Sequence, residues 1–273
     1  SLAITQQYLP VGLNSKVPTK PYSIALSITD KIDSLVGFFG INEIPTSSKD
    51  PLALRRIALG IIRTLIENKK NLKVKDLLNY SSSLYQDQGY KFTNQNLHKD
   101  LNIFLKERLK YYMKEKQIRL DIIEASISSF SLNELFSSFE KAKSLNKVIH
   151  NQIGTDIISS YKRASNILES ELKKDKIELS NTTDPGIFKT ELEKNLFKKI
   201  NELRKYFSSI NNDENFVQTL DNLASIKREV FDFFDNVIVN EDDLVIKKNR
   251  LELIQMMCKT FDNYVNFSLI ESN

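Results

Sequence analysis

The chain is predicted to be all-α, on three observations. Five of its six prolines (Pro10, Pro18, Pro21, Pro45 and Pro51) fall in the first fifth, and only Pro185 follows. There are seven glycines in 273 residues, too few for a chain of many tight turns. The long proline-poor remainder places apolar residues at a helical spacing of about 3.6, with no sustained strand-like alternation.

Turn signals around Pro10-Val11-Gly12 and Pro18 predict a loop-rich stretch over residues 1–20. A helix is expected from about Tyr22 to Phe38, ended by Gly37 and Gly40. The next is expected over 51–67: Asp50 suits an N-cap, and Pro51 suits the first helical position, where a missing N–H costs nothing. Leu54, Ile57, Ala58, Ile61, Ile62 and Leu65 form its buried face. Further helices are expected near 73–87, 94–116, 121–129, 133–150 and 154–173, then a polar loop, Asn181-Thr182-Thr183-Asp184-Pro185-Gly186, then helices near 187–208, 213–239 and 242–270. Asp242 or Asp243 could cap the last of these.

At this length, two modest domains or one elongated helical array can form. A hydrophobic content of 41% supports a true core and excludes disorder of the whole chain. The net charge is only +4, so a nucleic-acid footprint must come from local stripes. The single cysteine, Cys258, excludes an intrachain disulfide and fits a reducing, cytoplasmic setting. There is no run of 18 apolar residues and no signal-peptide pattern, so no membrane span is expected. The chain opens Ser1-Leu2-Ala3 without methionine, which predicts a piece of a longer protein.

Four constellations could carry binding. Arg56 and Arg63, seven residues apart, share one helix face, with Arg55 about 80° away. The helix near 94–116 sets Lys99, Lys106, Lys110 and Lys114 on one stripe that could track phosphates. Charge pattern alone favours a solvated face. Arg108 falls near the apolar side, which predicts pairing with a buried acid. In Tyr161-Lys162-Arg163-Ala164-Ser165-Asn166-Ile167-Leu168, the cations and the amide lie within about 100° of arc, opposite Ile157, Tyr161, Ala164 and Leu168. Two cations beside an amide suit a phosphate and a base edge held together. Asn249 and Arg250 fit RNA binding or internal salt bridges.

Enzyme chemistry has little support. There is no GxxxxGK[ST], GxGxxG or HExxH. His98 and His150 lack cysteine partners at zinc spacing. Cys258 sits on the apolar face of Ile254, Met257, Phe261, Tyr264 and Val265 and is expected to be inert core. No catalytic residue and no metal ligand set is assigned.

Asp30-Lys31-Ile32-Asp33-Ser34-Leu35-Val36-Gly37-Phe38-Phe39, read with Ser47-Ser48-Lys49-Asp50-Pro51-Leu52-Ala53-Leu54-Arg55-Arg56, resembles the β subunits of bacterial tetrameric (α2β2) glycyl-tRNA synthetases. Tyr161–Leu168 matches that family's lysine-arginine…asparagine motif, and Phe233–Leu253 is similar as well. Departures are Thr29, where alanine is usual, and Ser47-Ser48, where glycine often occurs.

The resemblance implies three parts. Residues 1–50 would be a remnant of an HD-like helical domain, 51–150 a helical continuation or linker, and 151–273 an anticodon-binding domain similar to that of arginyl-tRNA synthetase. Ser27–Ile32 also looks like the last helix of an HD-type phosphohydrolase. The aspartate matching Asp30 is a metal ligand there, but the paired histidine and aspartate would lie upstream. Asp30 is therefore expected to be structural, for example paired with Arg55 or Arg56.

The implied function is tRNA recognition within a class II synthetase that joins glycine to its tRNA. ATP and Mg2+ would be used by the partner α subunit, with no cofactor on this chain, which alone would be catalytically inactive. The implied partners are glycine tRNA and the α subunit, without DNA or membrane. The residues assigned to tRNA are Lys162, Arg163 and Asn166 first, then Arg55, Arg56 and Arg63, then the Lys99–Lys114 stripe, with Asn249 and Arg250. The rival readings are a helical scaffold for the α subunit and a truncated HD-type hydrolase.

Overall fold

The computed structural model describes residues 2–12, 14–175, 178–180, 182–210 and 215–271. Every regular element among them is helical, and none of these helices is long and apolar enough to cross a membrane. The chain divides into two units, residues 1–118 with 129–140, and residues 119–128 with 141–273. The segments 1–50 and 51–118 thus share one unit, and 119–128 and 141–150 group with the last part of the chain.

Unit 1 contains α1 (Leu2–Gln6), α2 (Pro21–Gly40), α3 (Leu54–Glu67), α4 (Val74–Asp87) and α5 (Leu97–Glu115), with a 3-10 turn at Leu132–Glu134. Helix α7 (Leu135–Val148) begins in this unit, and the division falls within it. α2 packs on α3, α4 and α5. Leu35, Val36, Phe39, Leu54, Ile61, Ile62, Leu65, Leu101 and Leu105 are fully buried between them. Each such side chain contributes about 1.5–3 kcal/mol on leaving water. The end of α2 is pinned at Gly40, whose carbonyl accepts from the N–H groups of Thr93 and Asn94 at 2.9 and 3.0 Å. A Cβ there would come within 2.1 Å of the Phe92 ring, so only glycine fits.

One local expectation is refined and another corrected in this unit. A short helix, α1, stands within the stretch expected to be loop-rich. α3 begins at Leu54 and not at Pro51, because Ala53 takes a left-handed conformation (φ 55°) and closes a turn on Asp50. Asp50 still caps the helix: its two oxygens accept from the N–H groups of Leu54 at 2.8 Å and Arg55 at 3.1 Å.

Unit 2 contains α6 (Leu120–Ile127), α8 (Gln152–Asp175), α9 (Glu191–Ser209), α10 (Phe216–Ala224), α11 (Lys227–Asn236) and α12 (Leu244–Asp262), with 3-10 turns at Pro185–Ile187 and Phe267–Leu269. α8 packs against α10, α11 and α12, and α9 against α11 and α12. Tyr161, Phe261 and Phe267 form an aromatic core with ring centroids 5.6–6.0 Å apart. α6 is held to the 267–269 turn by Asn266 N–H donating to the Ala125 carbonyl at 3.1 Å. Asp121 accepts from the N–H of Glu271 at 2.9 Å.

The helix expected over 213–239 is two helices, broken at Ser225-Ile226; residues 213–214 lie outside the described residues, as does Asn181 of the polar loop. The Ser225 hydroxyl donates to the Asn222 carbonyl at 2.7 Å, a local bond that competes with helix continuation. Leu223, Ile226, Val230 and Phe233 stay buried across the break, so the apolar period reads through it. The last expected helix stops at Asp262, whose Oδ1 accepts from Phe267 N–H at 3.1 Å and turns the chain. At its start Asp243 is the cap, accepting from Val245 at 2.9 Å and Ile246 at 3.3 Å.

Candidate nucleic-acid interface

In unit 2 the surface at issue is built on α8. Tyr161 and Ala164 are buried, so the residues between and after them turn outward. Asn166 is exposed, Lys162 is half-buried, and neither side chain has a hydrogen bond or ion pair among the described residues. Arg163 lies on the α11 side of that face. Its Nη2 donates to Asp235 Oδ1 at 2.6 Å, and its guanidinium lies 5.1 Å from the Phe231 ring centroid and 5.3 Å from that of Phe234. About two turns along the same seam, Lys227 of α11 pairs with Asp156 of α8 at 2.7 Å. Arg163 therefore has a packing role that Lys162 and Asn166 lack. The spacing in α8 cannot show this, since Phe231, Phe234 and Asp235 come from another helix.

Asn249 and Arg250 are corrected from RNA contacts to core groups. The Asn249 amide is buried and bonds both backbone groups of Asp184, at 2.8 and 3.0 Å. Arg250 is also buried. Its Nε donates to Glu193 at 2.8 Å, and its Nη1 donates to the Ile238 carbonyl at 2.7 Å and to Glu241 at 3.0 Å. Glu193 is 1% exposed and closes the capping box of α9 with Thr190. Burial pushes its carboxyl up, but Arg250 and the Thr190 and Lys189 donors outweigh this and hold it below the usual range. A second buried pair went unread in the sequence: Lys247 with Glu171 at 2.9 Å. Alternating cations and anions on α8 and α12 look like solvated faces until the helices are brought together.

In unit 1, Arg63 is likewise corrected. It is 6% exposed, binds Glu67 at 2.7 Å, and donates to the carbonyls of Gly12 at 2.6 Å and Ser15 at 2.7 Å, tying the N-terminal loop to α3. Arg55 turns to Asp50 at 3.9 Å and to the Thr46 carbonyl, so the expected pairing with Asp30 is not formed. Arg56 is exposed and makes no ion pair among the described residues. Arg108 does not find the expected acid. It lies 6.0 Å from the Phe104 centroid and 5.7 Å from that of Tyr111. On the α5 stripe, Lys99 and Lys114 are exposed, while Lys106 and Lys110 are half-buried.

Near Asp30 the conspicuous group is Lys31. It is 5% exposed, and its Nζ donates to Ser27 Oγ at 2.8 Å and to the Gln7 carbonyl at 2.9 Å. Burial lowers its pKa to about 8, against the pull of Asp30. The helix that resembles a metal-binding one thus buries an ammonium beside its aspartate.

Comparison with known families places both units. The glycyl-tRNA synthetase beta subunit family matches residues 1–128, and the DALR anticodon binding domain family matches residues 157–270. The chain is 38% identical over 267 residues to the glycine–tRNA ligase beta subunit of Rickettsia canadensis, covering 97% of this chain and 38% of that protein. It is 36% identical over 266 residues to that of Rickettsia africae, with the same coverage. Identity to that of Cereibacter sphaeroides strain ATCC 17023 is 32% over 269 residues, covering 98% of this chain and 39% of the relative. The chain thus spans under two fifths of the length of these relatives. Its class is that of all-helical proteins carrying a DALR-type anticodon-binding domain. Within that class, the chain belongs to the glycyl-tRNA synthetase beta subunit family.

Proposed function

We propose that this chain is the tRNA-recognising part of a glycine–tRNA ligase beta subunit. It supports ATP-dependent attachment of glycine to tRNA, and the chemistry, with ATP and Mg2+, belongs to a partner α subunit. The single observation that carries the reading is the α8 face within the segment matched by the anticodon-binding family. There Lys162 and Asn166 face outward on a helix whose other side is locked into the core. A lysine can hold a backbone phosphate while an amide reads the edge of an unpaired base. Lys99 and Lys114 of α5 add exposed cations suited to backbone contacts. A cytoplasmic location accords with this role.

The test is binding of glycine tRNA to the protein, with and without the α subunit, over a series of salt concentrations. Affinity should fall with salt, and Lys162→Ala and Asn166→Ala should each weaken binding about tenfold with the thermal midpoint unchanged. Unaltered affinity in both variants would remove the α8 face from the reading. Binding only in the presence of the α subunit would favour the scaffold role instead.

A further inference from the structure

We propose that a recess in unit 1 is a phosphate-binding site for a single nucleotide. The recess has a volume of about 560 Å³ and is lined by the Pro10–Gly12 loop, by α3 and by α5. That volume lies within the range of pockets that hold small ligands, about 300–1,000 Å³. Four arginines converge on it: Arg55, Arg56, Arg63 and Arg108. Arg63 is matched by Glu67, and Arg55 by the more distant Asp50. Arg56 and Arg108 have no carboxylate partner among the described residues. The hollow therefore holds two uncompensated guanidinium charges against low-dielectric walls, an arrangement that concentrates positive potential.

The arrangement is held in place by its surroundings. The Arg63 bonds to the Gly12 and Ser15 carbonyls fix the loop that forms one wall. Gly60 forms part of the floor, where an added Cβ would lie 2.8 Å from Lys31 Cε. Arg108 is oriented by the Phe104 and Tyr111 rings, and its Nε is a buried donor with no acceptor. A bound anion beside the guanidinium offsets its charge. Guanidinium groups suit phosphate because their planar donors can engage two oxygens at once. Tyr111, 37% exposed, adds a ring against which an unpaired base can stack. The shared chemistry is a phosphate next to a base, supplied by a free nucleotide or by one nucleotide of an RNA strand.

The experiment is calorimetric titration of the 273-residue protein with adenosine monophosphate, with adenosine, and with a short single-stranded RNA, on the parent and on Arg56→Gln and Arg108→Gln. Adenosine monophosphate or the RNA should bind, adenosine should bind at least tenfold more weakly than adenosine monophosphate, and each variant should weaken phosphate-dependent binding about tenfold. Binding of the mononucleotide identifies a free-nucleotide site. Binding of the RNA alone, weakened by the same variants, identifies a strand contact. Arg56 is exposed, so Arg56→Gln keeps the test valid even where Arg108→Gln lowers the thermal midpoint. Absence of binding by both probes, or binding unchanged in Arg56→Gln, would overturn the site. The α8 reading rests on residues of unit 2, so either proposal can fail while the other stands.

Discussion

Arg163 and Asp235 are joined at 2.6 Å across the α8–α11 seam, with the guanidinium laid over Phe231 and Phe234. The cation that the sequence offers for RNA is thus already engaged by a carboxylate of its own unit. Asp235 is 58% exposed at its side chain, so the pair contributes at most about 1 kcal/mol to stability. A phosphate could displace such a carboxylate at little cost. Asp235→Asn should therefore raise affinity for glycine tRNA about threefold to tenfold, by removing both a competitor and a negative charge from the face. Filter binding at constant salt checks this. A fall in affinity, with the melting curve intact, would mean that Asp235 positions Arg163 for the RNA and does not compete with it.

Arg250 makes the opposite kind of pair. It is sealed against Glu193, and Glu193 also caps α9. Arg250→Ala leaves a carboxylate at 1% exposure without its cation and the Ile238 carbonyl without its donor. The expected loss is about 3–5 kcal/mol in urea unfolding. A loss under about 1 kcal/mol, as surface pairs give, would show that Glu193 is sustained by its Thr190 and Lys189 donors alone.

The helical class and most of its elements were legible because burial follows the 3.6 period: Leu54, Ile61, Ile62 and Leu65 of α3 are buried as the pattern requires. The break at Ser225-Ile226 was not legible, because the core face continues across it. The site was less readable than the fold for a related reason. Periodicity tells which side of a helix is apolar, but not which polar residues a neighbouring helix will claim. Arg63, Asn249 and Arg250 look like surface groups in their own helices and are claimed by the 12–15 loop, by Asp184 and by Glu193. Lys162 and Asn166 differ only in that no such neighbour reaches them. The family relationship was legible from short runs of sequence, since those runs keep their order along the chain.

Cys258 gives a test of packing that needs no mutation. It is 7% exposed on the inner side of α12, and burial, with the Asp262 charge, pushes its thiol up to about 12. The thiolate is the reactive form, so the native protein should resist iodoacetamide at pH 8 and become alkylated only in denaturant. Rapid labelling of the folded protein, followed by mass spectrometry, would show that α12 opens locally far below the global unfolding free energy.

Lys31 sets a pH dependence whose sign is opposite to that of a surface lysine in a salt bridge. Its pKa is lowered from 10.5 to about 8, mainly by burial under α3 and the N-terminal loop, with Asp30 opposing. Between those values the unfolded chain holds a proton that the folded chain has released. Stability therefore rises with pH across this window. Below pH about 8 both states are protonated, and the buried ammonium imposes its full penalty; the increment from pH 8 to 10.5 is at most about 3 kcal/mol. Lys31→Met removes the titrating group while keeping the stem that lies against Gly60. The difference in unfolding free energy between Lys31→Met and the parent should thus shrink as pH rises from 8 to 10.5. A constant difference across that range would mean that the Ser27 and Gln7 acceptors compensate the ammonium fully, so that Lys31 titrates at its ordinary value.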